Sequence, residues 1–134
     1  MLVRRFSEAT AIDVHLLRAH VLMDAGELGS RNLSVSWVEV PPGASERLRS
    51  HEEAELAYIV ARGSGTMSAT GDTRELSEGD LVLIPPATDH AVANNGDETL
   101  ALVSVQSPAV SAEELFSRRL ALQAAGYDDD YDYE

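Results

Sequence analysis

Apolar and polar residues alternate along several short stretches in the middle of this chain. The clearest stretch runs from Leu33 to Val40, where apolar residues recur at a period of two, as in a strand with one buried face. We expect Leu33, Val35 and Trp37 to share one face of this strand, with Trp37 in the core. Further short strands are predicted at 66–69, 74–76, 81–84, 90–94 and 99–106.

Turn residues separate these stretches about every ten residues, which is the spacing of short strands in all-β domains. Gly63, Gly71 and Gly79 stand between predicted strands. Pro85-Pro86 ends another strand, because proline cannot donate a hydrogen bond to a β ladder. Asn95-Gly96-Asp97 is a strong hairpin turn. The pattern therefore predicts an all-β sandwich or barrel.

The N-terminal region, residues 1–32, has a weaker pattern. We interpret it as a strand or two with a loop, packing on the barrel that follows. His15 and His20 lie here without a paired ligand pattern, so we expect each of them to be a surface or packing residue.

The C-terminal region, residues 107–126, is predicted to contain a short helix. Ser111 and Glu114 have the spacing of a capping box, in which the serine caps the helix and the glutamate reaches back. Residues 127–134 contain five acidic side chains in eight positions. Such a segment is expected to be disordered, and we interpret it as a solubilising tail.

Composition sets broad limits on the class of protein. The chain has 134 residues, 44% of them hydrophobic, which suits a single globular domain. No apolar run approaches the roughly 20 residues that cross a bilayer. The N-terminus lacks the apolar block of a signal peptide, so a cytoplasmic location is expected. The absence of cysteine excludes disulfides and thiolate chemistry.

The charged residues exclude two further classes. The formal net charge is −13, whereas a nucleic-acid-binding protein needs a basic face. All ten basic residues are arginine, so Schiff-base chemistry on lysine is excluded.

Two stretches contain candidate chemistry at defined spacings. In the first stretch, Gly43 is followed after five residues by Arg49, Ser50 and His51. Three residues separate the histidine from Glu55, and Gly63 lies beyond it. In the second stretch, the ordered positions are Gly79, Pro85, Ala87, His90 and Asn94.

Together these spacings resemble the two motifs of the cupin family, over roughly residues 33–106, and in particular small single-domain cupins of bacterial type. The resemblance implies a cupin-type double-stranded β-helix, that is, a jelly-roll barrel. It also implies a strand over 46–51 and a return strand over 55–61. On such a strand Arg47, Arg49 and His51 would share a face.

The resemblance further implies that His51, Glu55 and His90 converge as ligands of one divalent transition metal, which could be iron, manganese, nickel, copper or zinc. Two imidazoles and a carboxylate can hold such an ion and leave positions open for substrate. These three residues and Arg49 are the candidate catalytic residues. The alternative is a barrel whose polar residues hydrogen-bond one another around water.

The chain departs from the family pattern at three places. Arg49 stands where the family usually has its first histidine, and guanidinium cannot ligate a metal. Ala87 replaces a glycine, and one extra residue separates Glu55 from Gly63. If Arg49 and Arg47 point into the pocket mouth, they could bind a carboxylate of a small acidic substrate. Arg49 could equally pair with a nearby glutamate.

Three functional hypotheses remain open. The first is a metal-dependent enzyme acting on a small, possibly acidic organic substrate by oxygenation, isomerisation or lyase chemistry. The second is a metal-free cupin that binds a small molecule without catalysis. The third is a structural barrel whose helix or tail engages a partner. A homodimer is also expected, with the N-terminal segment, Leu115 and Phe116 as its contact, and no nucleic-acid or membrane partner.

Overall fold

The structure is a computed structural model that describes residues 1–48 and 51–116. Its strands are β1 Thr10–Val14, β2 Leu17–Met23, β3 Ser34–Val40, β4 Ser45–Leu48, β5 Glu55–Arg62, β6 Gly65–Ala69, β7 Asp72–Leu76, β8 Leu81–Ile84, β9 His90–Ala93 and β10 Leu100–Ser107. Short 3₁₀ turns lie at Phe6–Glu8 and Glu27–Gly29, and a short helix, α1, lies at 112–116. Arg49, the rest of the predicted C-terminal helix and the acidic tail fall outside the described residues.

These strands form two antiparallel sheets that enclose a common core. The larger sheet has the order β1-β2-β3-β10-β5-β8, and the smaller has the order β4-β9-β6-β7. Every second side chain points inward, so that Leu56, Leu100 and Leu102 are almost completely buried between the sheets. The predicted all-β jelly roll with a short C-terminal helix is confirmed. In the part of the chain that the structure describes, no helix is long and apolar enough to cross a membrane.

Strand β3 alternates as predicted, but the predicted face was wrong. Ser34, Ser36 and Val38 point inward, while Trp37 is half-buried on the outer face. Trp37 packs edge-on against Phe6, with ring centroids 5.7 Å apart. Inward Ser34 is tolerated because its Oγ donates to the buried Gln106 Oε1 at 2.8 Å. A buried polar network therefore takes the place that a tryptophan core would have filled.

The N-terminal region supplies two strands to the larger sheet. β1 and β2 form a hairpin, and β2 pairs with β3. Exposed Arg18 donates a hydrogen bond to Asp13 at 2.8 Å, which lowers the pKa of that carboxyl from its usual value. The hairpin places its inward residues Val14 and Leu17 at the end of the barrel where the site lies.

Two motif positions have structural roles. Gly63 has φ +80°, and a Cβ there would lie 2.7 Å from the Thr99 carbonyl oxygen, so the turn requires glycine. Asn94 is buried, and its Nδ2 donates to the carbonyl oxygens of Val40 and Glu98 at 2.9 and 2.8 Å. Asn94 therefore fastens the loop before β10 to β3.

Candidate functional site

A cavity of about 450 Å3, counting the space that opens to solvent, lies at one end of the barrel. Most of its lining is apolar, and Tyr58 and Ser104 are its two polar side chains among the described residues. The apolar lining with few polar groups is that of a site for a small organic molecule. The lining residues are Val14, Leu17, Ala19, Val38, Leu48, Tyr58, Ser104, Leu115 and Phe116.

The helix α1 supplies one wall of this cavity through Leu115 and Phe116. Its first turn is held at two points. The Ala112 backbone N–H donates to Asp24 Oδ1 at 2.8 Å, and the Glu114 N–H donates to Ser111 Oγ at 3.1 Å. The predicted serine cap is therefore present.

Tyr58 and His90 form a buried pair next to the cavity. Tyr58 lies on the inner face of β5, His90 begins β9, and each is 4% exposed. The Tyr58 hydroxyl lies 2.8 Å from His90 Nε2. His90 Nδ1 lies 3.1 Å from the Thr88 carbonyl oxygen, which can only accept. In neutral His90, Nδ1 thus carries the proton and Nε2 accepts the Tyr58 hydroxyl proton.

His51 lies at the cavity end of the barrel, half-buried, in a contact with α1. Its Nδ1 accepts the backbone N–H of Glu53 at 3.0 Å, so the proton of the neutral ring sits on Nε2. Nε2 lies 3.1 Å from a carboxylate oxygen of Glu114. His51 therefore joins the loop before β5 to the helix that covers the cavity.

The other predicted site residues lie elsewhere. Glu55 is exposed at the start of β5, on the face opposite to inward Leu56. Arg47 is exposed on β4, opposite to Leu48, which lines the cavity. On the same strand Glu46 is buried and its Oε2 lies 2.8 Å from His15 Nδ1. Arg49 is outside the described residues.

The donor set of the described residues does not fit a metal ion. A ligating histidine presents a lone pair to the metal and donates its other N–H to a protein acceptor. His51 has the opposite arrangement, since Nδ1 accepts and Nε2 carries the proton. The accepting nitrogen of His90 faces Tyr58. Within residues 1–48 and 51–116, no three histidine, aspartate or glutamate side chains are grouped closely enough to hold an ion.

None of the nine lining residues was predicted as a site residue from the sequence, including the two polar ones, Tyr58 and Ser104. Tyr58 had a local signal, because it is the polar member of the inward series on β5. Ser104 had the same kind of signal on β10. Leu115 and Phe116 were expected at a dimer contact, which remains a prediction, and both side chains line the cavity.

Comparison with known proteins agrees with this architecture. The cupin domain family matches residues 36–106, more than half of the chain, and the protein therefore belongs to the cupin family. The crystal structure of a Cupin 2 conserved barrel domain protein from Salinispora arenicola is similar, with 27% identity and a TM-score of 0.65. That similarity covers 90% of this chain and 97% of the other.

Two curated relatives match this chain over only part of their own length. An uncharacterized protein of Methanocaldococcus jannaschii is 32% identical over 81 residues, covering 60% of this chain and 65% of that protein. The mannose-1-phosphate guanylyltransferase RfbM of Salmonella typhimurium is 31% identical over 77 residues, covering 58% of this chain. This chain spans 16% of the guanylyltransferase, a small part of that enzyme.

Proposed function

We propose that this cupin domain binds a small, uncharged and largely apolar organic molecule in the cavity beneath α1, without a metal ion. The observation that carries the proposal is the cavity itself, an apolar space that opens to solvent and has two polar side chains on its wall among the described residues. Such a lining favours an apolar ligand that is fixed in orientation by few hydrogen bonds.

The electrostatics of the lining support an uncharged ligand. None of the lining side chains among the described residues is charged. Transfer of a carboxylate into an apolar space costs several kcal/mol unless a partner charge is present. Arg47 is exposed on the other face of β4 and does not supply that charge from its own strand position.

The Tyr58–His90 pair would give the ligand a fixed wall. Tyr58 is held by a hydrogen bond to His90, and His90 by a second one to the Thr88 backbone. A side chain whose rotamer is fixed in this way can orient a ligand without losing further conformational entropy on binding.

Binding is tested with the neutral fluorescent probe N-phenyl-1-naphthylamine, whose emission rises in apolar surroundings. We expect saturable binding to one site per chain, unchanged after dialysis against a chelator. The variant Ala19→Leu should weaken binding at least about 10-fold, because the larger side chain projects from β2 into the cavity. Thermal unfolding checks that the variant is folded.

The matched control is Ala11→Leu, which makes the same change at an exposed position on β1 away from the cavity. This variant should bind the probe as the wild type does. Equal loss of binding in both variants, or no saturable binding by the wild type, would reject the cavity as a ligand site.

A metal-dependent enzyme is the second candidate function. It is favoured by one observation, that His51 and His90 stand at the histidine positions of both cupin motifs. In this candidate His51, Glu55 and His90 ligate one divalent ion, and Arg49 with Arg47 binds the carboxylate of an acidic substrate. His51 would first have to lose its contacts with Glu53 and Glu114.

Metal analysis of protein purified without an affinity tag separates the two candidates. The second candidate requires about one ion per chain, with affinity that falls as the pH is lowered, because protons compete with the metal for the imidazole lone pairs. His90→Ala should then abolish the metal, whereas His20→Ala, on the outer face, should retain it. Arg49→Ala should weaken carboxylate binding by on the order of 2 kcal/mol. A metal-free wild type that binds the neutral probe favours the first candidate.

A further inference from the structure

A chain of buried hydrogen bonds leads from the backbone to the cavity wall. The Val110 N–H donates to Ser34 Oγ at 3.0 Å, and the Ser34 hydroxyl donates to Gln106 Oε1 at 2.8 Å. The other end of the Gln106 amide, Nε2, donates to Ser104 Oγ at 2.6 Å. Of the residues in this hydrogen-bonded series, Ser104 is the one that lines the cavity.

The Gln106 amide sets the direction of these hydrogen bonds. The Val110 N–H can only donate, so Ser34 accepts from it, and the Ser34 hydroxyl donates to Gln106 Oε1. With its oxygen towards Ser34, the Gln106 amide presents its N–H to Ser104. Ser104 accepts, and its own O–H proton has no acceptor among residues 1–48 and 51–116.

The position of Ser104 makes this donor available to a ligand. Ser104 is 2% exposed and lies on the inner face of β10, where it contributes to the cavity wall. A buried hydroxyl without an acceptor costs free energy, which a ligand oxygen in the cavity can recover. Gln106 already donates to this oxygen, whereas the hydroxyl proton lacks an acceptor among the described residues, so a ligand acceptor satisfies the part of the group that has no partner.

We propose that Ser104 selects ligands that carry a hydrogen-bond acceptor, so that the cavity prefers a neutral carbonyl or ether compound to a hydrocarbon of the same shape. This inference rests on the proposed binding function and names the ligand class for that site. Gln106 and Ser34 are positioning residues, which fix the direction of the Ser104 proton.

The test compares 1-indanone with indane, two bicyclic probes of similar shape that differ in one carbonyl oxygen. Binding is followed by methyl NMR shifts of Leu115 and Leu48 on the cavity wall. Wild-type protein should bind 1-indanone about 5-fold more tightly than indane, the effect of one net hydrogen bond. Ser104→Ala should remove this preference, because the carbonyl then enters the cavity without a donor. Ser104→Thr, which keeps the hydroxyl, should restore it.

Ser36→Ala is the matched control. Ser36 lies directly opposite Ser104 on the neighbouring strand and is 4% exposed, but it does not line the cavity. This variant should keep the wild-type preference. If Ser104→Ala still binds indane and still prefers 1-indanone, the inference on Ser104 is overturned while the binding function stands. If neither probe shifts the cavity methyl groups of the wild type, the proposed function itself fails.

Discussion

Ala87 adopts a backbone conformation that alanine rarely accepts. Its φ is +59°, in the left-handed region, and its N–H donates to the His51 carbonyl oxygen at 3.0 Å. The family pattern has glycine at this position, where a Cβ costs about 1–2 kcal/mol. We expect Ala87→Gly to raise the free energy of unfolding by about 1 kcal/mol, measured by urea denaturation.

The control for this prediction is Ala61→Gly, at an exposed position within β5. There glycine only adds flexibility to the unfolded chain, and the free energy of unfolding should fall by about 0.5–1 kcal/mol. A loss of stability of the same size in Ala87→Gly would show that the turn does not strain alanine.

Tyr58 gives a second prediction at the scale of one residue. Tyr58→Phe keeps the ring but removes the hydroxyl that lies 2.8 Å from His90 Nε2 inside the barrel. We expect a loss of about 1–3 kcal/mol in the free energy of unfolding, since the buried imidazole loses this partner. The same change at an exposed tyrosine would have almost no effect, so a loss below 0.5 kcal/mol, roughly the level of a surface substitution, would contradict a buried pair.

The sequence could predict single motif positions for local reasons. A glycine requirement at Gly63 and a corner before His90 follow from neighbouring residues. The contacts of His51 could not be predicted, because its partner Glu114 comes from the far end of the chain. Spacing identifies which residues a family places at a site, but the hydrogen bonds of each imidazole decide what that residue can bind.

The element that controls the cavity is α1. Phe116 lies on the cavity wall, so Phe116→Ala should weaken N-phenyl-1-naphthylamine binding about 10-fold, the effect of losing part of a buried aromatic contact. Glu114→Gln should change binding less than about 3-fold, because its contact with His51 Nε2 is partly exposed and an amide oxygen can still accept from that N–H.

Phe6→Ala is the control for the helix, because it removes the same side chain from the outer face of the larger sheet. Phe6 packs against Trp37 and His20 and does not line the cavity. Probe affinity should be unchanged in this variant. Equal effects of Phe116→Ala and Phe6→Ala in fluorescence titrations would mean that α1 has no special part in binding.

For single strands, the positions along the chain were predicted better than the face that each strand buries. The alternation of β3 fits either face, because serine and tryptophan both occur at half-buried positions. Val38 and Val40 carry the observed phase with Glu39 outward, whereas Leu33, Val35 and Trp37 favour the opposite phase. The inward position of Ser34 is satisfied by Gln106, which is 72 residues away and is not part of the strand pattern.

At the scale of the whole molecule, the outer face of the larger sheet carries an apolar strip. Trp37, Val103, Ile59 and Leu81 are consecutive neighbours across four strands, and Leu81 is 62% exposed. The neighbouring row continues the strip with Val35, Val105, Ala57 and Leu83. Exposed apolar surface of this extent is typical of an interface.

A second copy of the chain suits this strip. Arg62 lies near one end of it and Glu55 lies at the other end. A two-fold axis across the strands would set the arginine end of one copy against the glutamate end of its partner. We therefore expect a homodimer that uses this face and the N-terminal segment around Phe6, with α1 left at the cavity.

Light scattering at tens of micromolar tests this assembly. Wild-type protein should have the mass of a dimer, and Leu81→Arg should shift it toward the monomer by placing a charge in the apolar strip. Thr73→Arg, at an exposed position in the other sheet, should remain dimeric. A monomeric wild type would exclude the dimer.

The overall architecture was predictable because it depends on turn spacing and on two motifs that cover most of the barrel. The cavity was not, since its wall is assembled from both sheets, the N-terminal hairpin and α1. Residues such as Val14 and Phe116 have no sequence feature in common beyond being apolar. Their joint position is a property of the folded chain.

The outward position of Trp37 determines what its fluorescence can report about this protein. Trp37 is the chain's one tryptophan, and it contacts the Phe6 ring on the side of the sheet away from the cavity. Its emission should therefore respond to movement of the first residues and to association of two chains. A compound entering the barrel should leave the emission wavelength of Trp37 almost unchanged. A ligand screen based on tryptophan fluorescence would therefore miss compounds that shift the NMR signals of methyl groups on the cavity wall.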